Sequence, residues 1–236
     1  GTYRVVLYIS NTCRTDSVVF NFNVFARPEG RIENLSDICI TNPVIHPSVV
    51  YENNGSQIRT FNWTFPGGTP ATASTMDPGL HTYTSPGEYT VSVAFENACG
   101  ISSISDNFLI HPVPEVTVNT PVSVCASQSL TITGTRTANV TSIKWHTRGD
   151  GYFSNDTLAN PVYHPGRNDI ANAGAILQIT ADGIAPCGPD TALLRLSIQR
   201  EPHVRVDDDV SICEGLEYRI TNTTAENYSV LKWSTT

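Results

Sequence analysis

Apolar and polar residues alternate with a period of two along most of the chain. Tyr89, Val91, Val93 and Phe95 fall on one side of an extended segment and Thr90, Ser92, Ala94 and Glu96 on the other. Leu130-Thr131-Ile132, Ile143-Lys144-Trp145 and Leu194-Arg195-Leu196-Ser197-Ile198 repeat the pattern. Residues with turn chemistry interrupt these runs at Pro66-Gly67-Gly68, Asp77-Pro78-Gly79, Ser85-Pro86-Gly87 and Asp150-Gly151. Helical periodicity is confined to Asp169 to Gly174, enough for a turn or two. The pattern predicts an all-β chain.

Cysteine spacing divides that chain. Cys13, Cys39, Cys99, Cys125, Cys187 and Cys213 are separated by 26, 60, 26, 62 and 26 residues, a period of 86 to 88. Trp63, Trp145 and Trp233 keep step, 24, 20 and 20 residues after Cys39, Cys125 and Cys213. The opening Gly1-Thr2-Tyr3-Arg4-Val5-Val6-Leu7 returns as Gly87-Glu88-Tyr89-Thr90-Val91-Ser92-Val93, and both runs continue to Asn-x-Cys at Asn11 to Cys13 and Asn97 to Cys99. Registers that coincide in this way define a tandem array. Its phase predicts the end of one repeat at 1–27, complete repeats at 28–112 and 113–200, and the beginning of another at 201–236, so the parent protein is expected to be longer. Proline marks each boundary, at Pro28, at Pro112 and Pro114, and at Pro202. About seven strands per repeat, with a tryptophan on the third, predict antiparallel β-sandwiches.

These residues carry a resemblance. Phe61-Asn62-Trp63-Thr64-Phe65-Pro66-Gly67-Gly68-Thr69-Pro70 and His81-Thr82-Tyr83-Thr84-Ser85-Pro86-Gly87-Glu88-Tyr89-Thr90-Val91-Ser92-Val93 resemble two strands of a polycystic-kidney-disease (PKD) domain, an immunoglobulin-like sandwich. Pro66-Gly67-Gly68 replaces that family's Gly-Asp-Gly turn, so no role of its turn aspartate is carried over. The second repeat, with Trp145-His146-Thr147-Arg148-Gly149-Asp150-Gly151-Tyr152-Phe153, Asn160-Pro161-Val162-Tyr163-His164-Pro165 and Asp169-Ile170, is similar to PKD-related repeats of giant Bacteroidetes surface adhesins, including gliding-motility adhesins. The resemblance implies tandem immunoglobulin-like sandwiches acting as stalk or force-bearing spacer in an adhesin secreted by the type IX route. It also implies neighbouring repeats, surface polysaccharide and the outer-membrane secretion and gliding machinery as partners. The alternative it leaves open is an accessory binding module of a secreted carbohydrate-active enzyme or protease.

Composition narrows the function. Net charge is -8, with only Lys144 and Lys232 beside twelve arginines, so no basic stripe for nucleic acid forms. No apolar run reaches the roughly 18 residues of a membrane span. Regularly spaced cysteines without Cys-x-x-Cys point to structural disulfides and an oxidising, extracellular compartment. Pairing within repeats, Cys39 with Cys99 and Cys125 with Cys187, is favoured, with Cys13 and Cys213 paired outside the segment. Head-to-tail stacking offers a second scheme in which Cys39 meets Cys187.

No catalytic constellation appears: there is no Gly-x-Ser-x-Gly, no His-Glu-x-x-His and no phosphate-binding glycine loop. His81 and His146 are expected as surface or strand residues, and paired carboxylates have no evident cleft to serve glycoside hydrolysis. No cofactor is expected, with the exception of calcium at Asp207 and Asp209, which flank Asp208 just past a repeat boundary; Asp150 and Asp156 form a second acidic loop. Against calcium, successive strand residues point to opposite faces, and edge charges that deter strand pairing account for the run equally well. Asn34, Asn54, Asn62, Asn139, Asn155, Asn222 and Asn227 open Asn-x-Ser/Thr sequons. In bacteria of the kind the resemblance implies, O-glycosylation would fall instead at Ser17, Thr157 and Thr191, each of which follows an aspartate.

Overall fold

The computed structural model describes residues 1–235, and its regular elements are all strands except for one five-residue helix. Two units make it up, Gly1–Val113 with Ala185–Cys187, and Pro114–Ile184 with the chain from Gly188 onward.

The first unit opens on a hairpin of β1 (Thr2–Ser10) and β2 (Thr15–Asn23), paired from Thr2 opposite Asn23 to Ser10 opposite Thr15. Asn11 shapes its turn by accepting the N–H groups of Cys13 and Arg14 on its side-chain oxygen, at 2.8 and 2.9 Å. A sandwich follows, built from β3 (Glu29–Glu33), β4 (Ile38–Cys39), β5 (Val44–Ile45), β6 (Ser48–Glu52), β7 (Thr60–Thr64), β8 (Thr72–Ala73), β9 (His81–Thr82), β10 (Gly87–Asn97) and β11 (Gly100–His111). One layer is the sheet β4-β11-β10-β7-β8; the other consists of the pairs β3-β6 and β5-β9. All pairings are antiparallel except β4 with β11, which runs parallel and sets Cys39 opposite His111. The strands number nine where the pattern predicts about seven. A turn closed by the Asn42 N–H on the Cys39 carbonyl, followed by Pro43, which has no N–H to give a ladder, separates β4 from β5 and passes the chain from one layer to the other.

Period-two alternation in β10 delivers Val91, Val93 and Phe95 to the interior with no exposed surface. They pack with Trp63, Phe65, Tyr83, Phe108, Ile110, Ile45 and Val49 from both layers into one apolar core. Trp63 sits on the third long strand, as the pattern predicts, and satisfies its buried indole N–H on the Thr75 carbonyl at 3.1 Å. The corresponding face of the β1-β2 hairpin stays open: Val5, Leu7 and Ile9 are 51%, 60% and 62% exposed.

The second unit repeats the order with β12 (Glu115–Thr117), β13 (Val122–Cys125), β14 (Leu130–Thr131), β15 (Arg136–Ala138), β16 (Val140–Thr147), β17 (Tyr152–Phe153), β18 (Val162–His164), α1 (Arg167–Ala171), β19 (Gly174–Gly183) and β20 (Asp190–Gln199). Its main sheet is β13-β20-β19-β16, with β13 and β20 parallel in the manner of β4 and β11. The strand β17 pairs with β18 instead of joining that sheet. Trp145 fills the core and donates to the Leu158 carbonyl at 3.1 Å, reproducing Trp63. The helix lies two residues earlier than the sequence suggests. At its first turn the Asp150 carboxylate accepts the N–H groups of Asn168 and Asp169. At its end Ala173 adopts a left-handed φ of 54° and breaks the helix. The chain continues into β21 (His203–Arg205) and β22 (Thr224–Glu226), an antiparallel pair equivalent to β3-β6 and β12-β15.

Candidate functional site

The cysteines do not pair as the favoured scheme expects. Cys39 is bonded to Cys187, with a Cα–Cα distance of 5.0 Å, in place of Cys39 with Cys99 and Cys125 with Cys187. The physical reason lies in strand topology. Cys39 ends β4, beside the final residue of β11, whereas Cys99 sits in the turn that begins β11, so the twelve-residue length of β11 separates the two within one sandwich. Cys187 belongs instead to the β19-β20 loop, whose residues Ala185–Cys187 form part of the first unit. Both bonded cysteines are buried, at 7% and 8% exposure, while Cys13, Cys99, Cys125 and Cys213 are exposed thiols.

Buried polar groups inside the sandwiches are satisfied by the chain itself, except the Tyr83 hydroxyl and Thr135 Oγ1 among the described residues. The buried Asp169 carboxylate uses one oxygen, Oδ2, to accept the Tyr163 hydroxyl at 2.6 Å, the Gly151 N–H at 3.1 Å and the Gly166 N–H at 3.0 Å. Tyr163 is pushed up to about 12, first by burial and then by its bond to Asp169. Tyr83 is likewise pushed up to about 12 by burial. His81 is a strand residue, as expected, but a buried one: it stacks on Phe65 at 3.4 Å between ring centroids, with Nδ1 2.6 Å from the Pro70 carbonyl and Nε2 3.2 Å from that of Pro78. His146 is exposed. Neither histidine faces a nucleophile or a cleft, and these arrangements are locks on loops.

The acidic segments are similarly used. Asp207 accepts the Tyr218 hydroxyl at 3.2 Å and the backbone N–H groups of Thr221 and Asn222 at 3.1 and 3.4 Å, which hold its carboxyl below the usual range, that of Thr221 most of all. Asp209 is exposed and does not share these contacts, and no three His, Cys, Asp or Glu side chains among the described residues form a metal-holding group. Asp150 caps α1, and the N–H of Asn168 above all keeps its carboxyl below the ordinary range; Asp156 faces Lys144 at 3.8 Å. Ser17, Thr157 and Thr191 are all exposed, and Ser17 and Thr191 lie on strands beside aspartates that accept their backbone N–H groups, at 2.9 and 2.8 Å.

One recurring device escaped the sequence reading. Asn54 and Asn227, which there appear only as sequons, occupy left-handed backbone with φ of 50° and 57°. Their side-chain amides donate to the carbonyls of Arg27 and Glu201, at 2.8 and 3.2 Å, fastening each repeat's entry. Asn139 shares the conformation, with φ of 58°. The signal was present as an asparagine 14 or 15 residues after each early cysteine.

Of the sandwich tyrosines Tyr83 and Tyr163 are buried, Tyr51 and Tyr89 are half-buried, and Tyr152 is 63% exposed and stacked on His164. No helix among the described residues is long and apolar enough to cross a membrane.

Comparison with known proteins matches the PKD domain family to residues 45–107, within the first sandwich. No curated protein matches the chain. Among solved structures it is similar to a three-immunoglobulin-domain fragment of titin, at 14% identity and TM-score 0.45, covering 84% of this chain and 74% of that one. It is also similar to extracellular domains 3-5 of Drosophila OTK, at 10% identity and TM-score 0.47, covering 84% and 70%. The fold is all-β, and residues 45–107 of its first sandwich are similar to the PKD domain family.

Proposed function

We propose that this chain is a non-catalytic, force-bearing stalk segment of a large extracellular adhesin, of the bacterial surface type that its sequence resembles. The observation that carries this reading is the bond from Cys39 in one repeat to Cys187 in the next, which ties consecutive repeats covalently. A disulfide persists in an oxidising compartment, which supports an extracellular location. Within the two complete sandwiches seven of the twelve aromatic side chains are core residues, which favours the spacer over the accessory binding module.

Under tension applied at the two ends, the load path runs from Cys39 through the sulfur bridge to Cys187, so the intervening backbone is shielded. Single-molecule extension tests this. The oxidised chain is expected to stretch less than the reduced one by the length of 148 residues, about 500 Å at full extension. Equal extension with and without reductant would overturn the force-bearing role of the bond. A glycan-array screen separates the two module types, since saturable sugar binding would contradict a pure spacer.

A further inference from the structure

The six cysteines fall into two classes by place in the repeat. Cys39, Cys125 and Cys213 are early; Cys13, Cys99 and Cys187 are late. The one bond formed joins an early cysteine to the late cysteine of the following repeat. Backbone geometry shows that the unbonded Cys125 is held as the bonded Cys39 is. Cys39 ends a short strand parallel to β11, Ile40 N–H donates to the His111 carbonyl at 3.0 Å, and Asn42 N–H donates to the Cys39 carbonyl at 3.0 Å. Cys125 ends a short strand parallel to β20, Ala126 N–H donates to the Gln199 carbonyl at 2.9 Å, and Gln128 N–H donates to the Cys125 carbonyl at 2.9 Å. Three hydrogen-bonding features therefore coincide, yet Cys39 is buried under its partner while Cys125 is exposed. Among the late cysteines the two unbonded ones share a turn that Cys187, two residues after Ala185, does not repeat. Cys13 and Cys99 sit in the same turn, each donating its N–H to the side-chain oxygen of the asparagine two residues before it, at 2.8 and 2.9 Å.

We propose that Cys125 and Cys99 are linkage sites of the same kind as the Cys39–Cys187 bond, each taking the opposite-class cysteine of another sandwich of this design: a late one for Cys125, an early one for Cys99. Each bond forms by thiol–disulfide exchange with a protein disulfide oxidant. A thiolate attacks the oxidant's disulfide, the second thiolate attacks the resulting mixed disulfide, and the oxidant leaves as a dithiol carrying the two electrons and, after protonation, the two protons.

The consequence is mechanical, and it rests on the force-bearing reading above. With every early cysteine bonded to the late cysteine of the following repeat, successive loops overlap, since Cys125 lies inside the span from Cys39 to Cys187. Two covalent threads then run side by side. Each alternates a sulfur bridge with the short stretch from a late cysteine to the following early one. That stretch is 26 residues in all three copies, 13 to 39, 99 to 125 and 187 to 213, whereas the other spacing varies from 60 to 62. The constant segment is the part of the backbone that would carry load.

Disulfide mapping of the protein from its native source tests the assignment. Free thiols are alkylated first, and the protein is then cleaved without reduction. The expected result is Cys99 and Cys125 each linked, Cys125 to a late-class cysteine peptide and Cys99 to an early-class one. Alkylated Cys99 or Cys125, a bond between these two, or a link between cysteines of one class would overturn it. Mapping reads connectivity alone, so the linkage can fail while the extension experiment still upholds the spacer, and the reverse.

Discussion

Removing the Cys39–Cys187 bond tests most directly how the array is stabilised. Both cysteines must go to serine, because Cys187 left alone would be free to exchange with the exposed Cys99. If the whole enclosed segment unfolds at once, the bond closes a loop of 148 residues, and the chain-entropy relation assigns it about 5 kcal/mol. If one repeat unfolds while the other stays folded, roughly half as many residues are released, and the logarithm lowers the figure only to about 4.5 kcal/mol. Measured losses usually fall short of this relation, so a decrease of about 3 to 5 kcal/mol is expected for Cys39→Ser/Cys187→Ser. Guanidinium unfolding followed by tryptophan fluorescence is the assay. Trp63 and Trp145, each 1% exposed, report one sandwich apiece, while Trp233 at 58% contributes a nearly constant background. The dependence on denaturant should steepen, because the uncrosslinked chain expands further on unfolding. Cys99→Ser/Cys125→Ser serves as control and should stay within about 0.5 kcal/mol in the isolated chain. A loss below about 1 kcal/mol in the first double variant would refute the entropic reasoning.

Asp169→Ala should cost about 2 to 3 kcal/mol in the second sandwich, since the Tyr163 hydroxyl and the Gly151 and Gly166 N–H groups all lose the one oxygen that accepts them; thermal unfolding reads the change. Gly151→Ala should destabilise the same sandwich by about 1 to 3 kcal/mol, because its new Cβ would collide with the Tyr163 hydroxyl and the His164 carbonyl; denaturant midpoints decide it. Asn54→Ala should lower stability of the first sandwich by about 1 to 2 kcal/mol through left-handed strain and a lost hydrogen bond, whereas Asn54→Gly should recover the strain portion. Tyr83 and Tyr163 hold their protons to about pH 12 in the folded state against 10 in the unfolded chain, so the stability they contribute is complete below pH 10 and is lost as pH rises from 10 to 12. Phenolate absorbance should show two tyrosines titrating only as the fold is lost.

What the sequence determined by itself was periodic. Alternation of side chains placed Val91, Val93 and Phe95 on one face, because a strand has no other way to turn them, and the 86-to-88-residue recurrence of cysteine and tryptophan made the chain an array. Those are local properties and a repeat, both written along one dimension. Connectivity was decided only in three dimensions. The spacing of Cys39, Cys99 and Cys187 is compatible with two pairings, and which sulfurs meet depends on which strand ends lie at the same pole. A parallel β4-β11 edge carries Cys39 to the far end of β11 from Cys99, and the β19-β20 loop brings Cys187 to it. The same holds for His81 and Asp169. Each reads as an ordinary polar residue, and each is buried because the folding of the loops around it aims partners at it, the Pro70 and Pro78 carbonyls for one and Tyr163 with the Gly151 and Gly166 amides for the other, which supply the hydrogen bonds that make burial affordable.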